Sequence, residues 1–326
     1  MRGIKVFLVG VYLLMSTQIL FSWNFFKSVA ENRDDDTEKV LKESYQPPTL
    51  QNYISLWEEP KEQLLGLDNI LSSTSYFPTT TYPLTITTQD GLKRSGVLTL
   101  RKHARGNVVL CHPAAYDKDF MISYQDRVFV HYNCVRFDFR RHGENKEGQY
   151  STIGKKEVYE VEAVVNFLKS FKQTKDLPTY GFGISMGASV LIEYQAWKHN
   201  FDALILQAPF DSLENQIRRT FPVFRKTILR NFIFSEPVRW YGKAKYKLDV
   251  RNVNPIDSIK KIKVPVFLMH SKDDPIIPHA VFEKFAKVGK CIKKTWAPAV
   301  GFHSELFKTY PDLYIKRCND FLYEVD

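Results

Sequence analysis

Five residues, Gly183-Ile184-Ser185-Met186-Gly187, constrain this chain more than any other stretch. They lie between a short apolar run of strand character, residues 178–182, and a run of helical character, residues 188–197. A serine presented between strand and helix sits on a turn sharp enough to strain its own φ and ψ, and a Cβ two positions to either side would strike the turning backbone. Glycine at both flanks removes the collision, so the pattern is that of a nucleophile elbow. A glycine-rich turn with a bystander serine has the same pattern, and only the rest of the chain decides between the two.

The 326 residues suffice for one α/β domain with an insertion. Cys111, Cys134, Cys291 and Cys318 are scattered, without a CxxC pair or histidine-rich spacing. That suggests neither a disulfide framework nor a zinc site, and buried free thiols are expected. The first residues differ in kind. After Arg2 and Lys5 comes an apolar run, residues 6–23, about 27 Å long as a helix and at the short end of what spans a bilayer. Ser28-Val29-Ala30 would suit the exit of a cleaved signal, whereas bulky Trp23, Phe25 and Phe26 favour a retained anchor. Residues 1–30 are therefore expected to be a membrane anchor or a signal peptide. Residues 31–74, rich in charge early on and carrying Pro47-Pro48, read as linker and lead-in. The folded part, residues 75–326, is expected to be anchored to a membrane or exported, in a compartment left open.

That part begins with two strand-like runs, 79–88 and 95–101, joined through Gln89-Asp90-Gly91 as a hairpin. Short apolar runs at 107–111, 134–139, 202–207, 264–270 and 291–296 are of the kind buried in a parallel sheet. Helical spacing occupies 156–171, through Val158, Val161, Val165 and Leu168, and continues at 280–288 and 305–323. A hairpin followed by alternating strand and helix implies an α/β fold with a mostly parallel, doubly wound sheet. The connection before residue 264 is too long for a βα unit, so residues 211–261 are expected to hold an inserted cap. Within 215–251, ten Lys/Arg stand against Glu236 and Asp249, most of the net charge of +10 for the whole chain. Phe221, Phe224, Phe232, Phe234, Trp240, Tyr241 and Tyr246 interleave with them. Such a cap suits an anionic membrane surface or an amphiphilic substrate. A solvated cap with its aromatics in a local core is the plainer reading. No nucleic-acid module accompanies the charge, so no nucleic-acid partner is expected.

A serine hydroxyl needs a base, and the base needs a carboxylate to hold its tautomer. In doubly wound hydrolases the chain order is serine, acid, histidine. The strand at 264–270 ends in Ser271-Lys272-Asp273-Asp274-Pro275-Ile276-Ile277-Pro278, and catalytic groups gather beyond such strand ends. Asp274 is the expected acid because the prolines fix the loop that follows it; Asp273 is its rival, and Asp211 would serve only in a variant geometry. An Asx turn would account for either residue of the pair. His103 and His199 lie in polar contexts, His131 precedes a strand, His270 ends one, and His279 follows Asp274 too closely. His303, on the loop after the last strand, has the right order and edge. The N–H of Met186 follows from the elbow as an oxyanion donor, and a second is expected from His112-Pro113-Ala114-Ala115-Tyr116.

With these residues in place, the chain from about Leu84 onward resembles the α/β-hydrolase family, in its monoacylglycerol lipase, lysophospholipase and serine aminopeptidase-like branch. The resemblance rests on residues 107–113, similar to the family's strand plus His-Gly; on residues 136–143, similar to its Asp-x-Arg-Gly-His-Gly; and on Gly183, Ser185, Gly187, Asp274 and His303. It implies the α/β-hydrolase fold, Ala114 as the second oxyanion donor and residues 138–143 as a structural turn. Pro113 and Arg141 depart from the family's glycines. The expected activity is a serine ester hydrolase acting through an acyl-enzyme, without cofactor or metal. Its expected substrate is a small-molecule or lipid ester of the lysophospholipid or monoacylglycerol kind. A thioesterase, an acyltransferase, peptide hydrolysis, or a membrane-tethered binding protein on an inactive scaffold remain as alternatives.

Overall fold

Apolar residues that alternate between two faces of each strand explain why helices cover both sides of this sheet. The computed structural model describes residues 79–145, 150–220 and 249–325. Among these, one eight-stranded sheet comprises β1 (Thr79–Thr87), β2 (Lys93–Arg101), β3 (Asn107–Cys111), β4 (Asn133–Phe137), β5 (Thr179–Ile184), β6 (Ala203–Gln207), β7 (Val266–Met269) and β8 (Ile292–Trp296). Their spatial order is β1-β2-β4-β3-β5-β6-β7-β8. The β1–β2 and β2–β4 pairs are antiparallel and every later pair is parallel.

The helices are α1 (Val158–Ser170), α2 (Met186–Lys198), α3 (Leu213–Thr220), α4 (Pro255–Ser258), α5 (His279–Val288), α6 (Leu306–Thr309) and α7 (Pro311–Val325). On one face Val109, Leu204, Leu206, Val266 and Leu268 pack with Val161 and Val165 of α1, Leu191 of α2 and Phe285 of α5. On the other, Val108, Leu110, Ile205 and Phe267 pack with Val128, Phe129 and the Tyr314, Cys318, Phe321 and Leu322 stripe of α7. Each large apolar side chain fully buried this way contributes roughly 1.5–3 kcal/mol. The four cysteines are buried free thiols.

The hairpin turns at Gly91, whose φ of 79° and N–H donated to Thr88 O (2.9 Å) make glycine the natural residue there. Two boundaries differ from expectation. The helix expected at 188–197 starts two residues earlier, at Met186, because the elbow feeds it without a linker. The single helix expected at 305–323 is two: Pro311 disfavours a helical residue before it, and Tyr310 stands at φ −135°, ψ 60° between α6 and α7.

The long connection runs from β6 to β7 and includes α3 and α4. Residues 221–248 lie outside the described residues, and so does the cationic, aromatic cluster of the expected cap apart from Arg218, Arg219, Asp249 and Arg251. The segment at 1–30, the linker at 31–74 and the domain start at 75–78 also lie outside them. Among the described residues no helix is long and apolar enough to cross a membrane.

Candidate active site

The site forms where β5 meets α2. Ser185 takes φ 53°, ψ −114°, a strained conformation for a residue with a side chain. Its N–H donates to Gln207 O at the end of β6 (2.8 Å), and its carbonyl accepts from Ser189 N–H (3.0 Å) and Ser189 Oγ–H (3.2 Å). A Cβ on Gly183 would lie 2.6 Å from Gly187 C, and one on Gly187 2.1 Å from Cys111 O. Both glycines are therefore required by close backbone approach. The second contact also seats the start of α2 directly on the end of β3.

The structure brings the three expected side chains into one row. Ser185 Oγ and His303 Nε2 are 2.7 Å apart, and His303 Nδ1 and Asp274 Oδ2 are 2.6 Å apart. With Nδ1–H donated to the carboxylate, Nε2 is free to accept the serine proton. Asp274 Oδ1 accepts the N–H groups of Ile276 (2.8 Å) and Ile277 (2.9 Å), the loop that the flanking prolines stiffen. Burial, the largest single influence on this carboxyl, works to raise its pKa. The charge and hydrogen bond of His303, the Ile277 N–H and the nearby His270 together outweigh it and hold the pKa below the ordinary value. The rivals are engaged elsewhere. Asp273 accepts the Ser271 hydroxyl (2.6 Å). Asp211 is clamped by both terminal guanidinium nitrogens of Arg219 (2.7 and 2.8 Å), near the start of the β6–β7 connection.

The expected oxyanion donors belong to the two segments that meet at the elbow. Cys111 is in register with Gly183 across β3 and β5, so the 112–115 loop leaves the sheet next to the elbow. Met186 N–H is the first of α2 and has no carbonyl four residues back in a helix. Pro113 lacks an N–H, but its carbonyl holds the loop in place by accepting from His112 Nδ1 (2.8 Å). His112 Nε2 in turn accepts from Phe139 N–H (3.1 Å), which fixes the ring as the neutral Nδ1–H tautomer. Burial accordingly depresses its pKa well below the ordinary value. No peptide among the described residues is cis, so the Ala114 N–H points opposite to the Pro113 carbonyl and away from the His112 ring.

The turn after β4 is held by Asp138, which accepts from Lys118 N–H (2.7 Å), Lys118 Nζ (3.0 Å) and Glu144 N–H (3.1 Å). A Cβ on Gly143 would strike that carboxylate at 2.3 Å. Arg141, the second departure from the family pattern, sits at φ 68°, a left-handed position that explains the usual glycine.

Two residues that sequence reasoning passed over support the row. Gln207, fully buried, offers Nε2–H to His303 O (3.4 Å) and accepts from Tyr314 O–H (2.8 Å). His270 lies 3.8 Å from Asp274 Oδ2. A lone polar residue closing an apolar strand is the only sequence signal either one gives. Among the described residues no His, Cys, Asp and Glu cluster is grouped to hold a metal ion.

No family model matches the chain. Over 220 residues it is 26% identical to the uncharacterized protein YqkD of Bacillus subtilis, a match covering 66% of this chain and 70% of that protein. Over 198 residues it is 26% identical to the lysophosphatidylserine lipase ABHD12 of Xenopus tropicalis, covering 56% of this chain and 46% of the lipase. The match thus spans less than half the length of that curated lipase. Among solved structures, the Pyrococcus furiosus esterase Pf2001 is 23% identical with a TM-score of 0.61, covering 78% of this chain and 94% of the esterase. The peroxisomal alpha-beta-hydrolase Lpx1 of Saccharomyces cerevisiae is 16% identical with a TM-score of 0.52, covering 76% of this chain and 89% of its own.

Proposed function

We propose that this chain, which has the fold of α/β-hydrolase esterases, is a serine hydrolase of carboxylic esters, working through an acyl-enzyme on Ser185. The observation that carries this reading is the unbroken row from Ser185 through His303 to Asp274, with links of 2.7 and 2.6 Å. His303 Nε2 takes the hydroxyl proton as Oγ attacks the acyl carbon, while Asp274 holds the Nδ1–H and stabilises the imidazolium that forms. The N–H groups of Met186 and Ala114 receive the developing oxyanion, each worth roughly 3–4 kcal/mol. His303 then returns the proton to the leaving oxygen, and the alcohol departs. Water, activated by the same imidazole, releases the acid. A fluorophosphonate tests this directly. Wild-type chain should be labelled, and Ser185→Ala and His303→Ala should not. An unlabelled wild type would instead fit a binding protein on a hydrolase scaffold.

The substrate we assign is a lipid-like acyl ester, of the lysophospholipid or monoacylglycerol kind. Supporting it are the relatives named as lysophosphatidylserine lipases, the cationic, aromatic sequence at 215–251 and the apolar run at 6–23. That run is the proposed site of membrane association. Equal turnover across esters and thioesters from acetyl to long-chain acyl would overturn the substrate assignment. Recovery of the full chain in the soluble fraction of disrupted cells would overturn the membrane assignment.

A further inference from the structure

Asp274 faces two imidazoles, and proton transfer to and from Ser185 uses one. His270 follows β7 directly and is 1% exposed. Its Nε2 lies 2.9 Å from Ile277 O and 3.8 Å from Asp274 Oδ2. A carbonyl only accepts, so Nε2 carries the hydrogen, and Nδ1 of the neutral ring is the bare acceptor. That Nδ1 is buried without a hydrogen-bond partner among the described residues. The ring stacks on Phe282 at 6.0 Å, and Phe282 stacks on His279 at 5.0 Å. The ionisable groups around it are Asp274, His303 and His279, the last of which lies 3.9 Å from Glu283. Burial dominates over the pull of Asp274 and lowers the His270 pKa, in keeping with a neutral ring.

Two consequences follow for the acid. The turn from Asp274 to Ile277 is closed from inside by Oδ1, which accepts the Ile276 and Ile277 N–H groups. His270 ties the outgoing carbonyl of the same turn back to the strand. The carboxylate is thereby fixed relative to β7 and not merely within its own loop. A neutral ring, moreover, places no charge beside Oδ2. A cation there would compete with the His303 imidazolium for the carboxylate; a neutral ring does not.

We infer that His270 is a positioning residue for acyl transfer, clamping the Asp274 turn and aligning Oδ2 on His303 Nδ1. This rests on the serine-hydrolase reading. The test compares His270→Leu, which fills the space but donates nothing, with His270→Gln, whose amide N–H reaches the region of Nε2. With a p-nitrophenyl ester, the Leu variant should lose about 10- to 100-fold in kcat at nearly constant KM, and the Gln variant should recover most of it. The far-downfield proton of the short His303–Asp274 hydrogen bond should persist in Gln and shift or vanish in Leu. His270→Phe, able to stack on Phe282, replaces Leu if that variant does not fold. Wild-type kcat and an unshifted proton in the non-donating variant overturn the inference. So do equal losses in both variants that track melting temperature, the pattern of a packing role. Ser185→Ala, run in parallel, should be inactive. Turnover by Ser185→Ala would overturn the hydrolase reading itself, a result distinct from failure of the His270 series.

Discussion

Gly187 holds the serine's surroundings together by having no side chain. The atoms that a Cβ would meet, Cys111 O at 2.1 Å and His112 O at 2.8 Å, are backbone and have no rotamer to yield. Gly187→Ala must push α2 off β3, at roughly 1–3 kcal/mol, and part the Met186 N–H from the 112–115 loop. Turnover should fall about a hundredfold together with melting temperature; wild-type values of both would contradict the close approach. The pentapeptide was legible because its glycines are required by local backbone geometry. The acid was legible as Asp274, with Asp273 as its rival. Chain order narrows it to Asp273 and Asp274, the prolines after the pair favour Asp274, and the loop geometry agrees: Asp274 accepts two N–H groups and faces His303, while Asp273 accepts a serine hydroxyl. Asp274→Asn, which leaves His303 in the wrong tautomer, should cut kcat by about 10⁴-fold. Asp273→Asn should leave it within about twofold. Gln207 was not legible, because its three partners come from residues 185, 303 and 314 and no spacing along the chain announces them.

Elements were readable where period alone decides them. Val158, Val161, Val165 and Leu168 mark α1, and all four are buried against the sheet. Periodicity says nothing of Glu160 between them, which is buried on the same helix and gathers cations from distant elements. Its carboxylate accepts from Arg94 Nε of β2 (3.1 Å) and from Arg140 Nε (2.9 Å) and Nη2 (3.0 Å) after β4. Arg140 also reaches Asp90 in the hairpin turn (3.0 Å). One carboxylate thus ties the antiparallel edge of the sheet to its first crossover helix. Glu160→Gln removes the counter-charge and leaves two buried guanidinium groups facing an amide. The loss should be about 3–5 kcal/mol, read as a lower urea midpoint, and the fluorophosphonate labelling of the folded fraction should persist. An unchanged midpoint would mean that the arginines find other partners at no cost.

For the molecule as a whole, the doubly wound plan was legible because strands buried on both faces read as unbroken apolar runs. The antiparallel seating of β2 on β4 was not, since strand order is a matter of tertiary pairing. Nor was the neutral state of the histidines that line the carboxyl ends of the strands. Burial, the leading influence for each, lowers the pKa of His112, His142 and His270. Unfolded, each titrates near 6.5. As pH falls below that value the unfolded chain takes up protons that the folded chain refuses, so stability decreases with acid in this window. At His112 the refusal is geometric as well: Nε2 already accepts the Phe139 N–H, and a proton there would face that donor. The carboxylates give no such clear sign, since Asp211 and Asp274 are shifted down while Glu193 is shifted up by burial. The urea midpoint should therefore decline from pH 7 to pH 5, before ordinary carboxylates titrate. His142→Asn, whose amide replaces the Nδ1–H donated to Arg140 O (2.9 Å), should make that decline shallower. A midpoint that stays level between pH 7 and 5, or an Asn variant as steep as wild type, would show that these rings accept protons in the folded state.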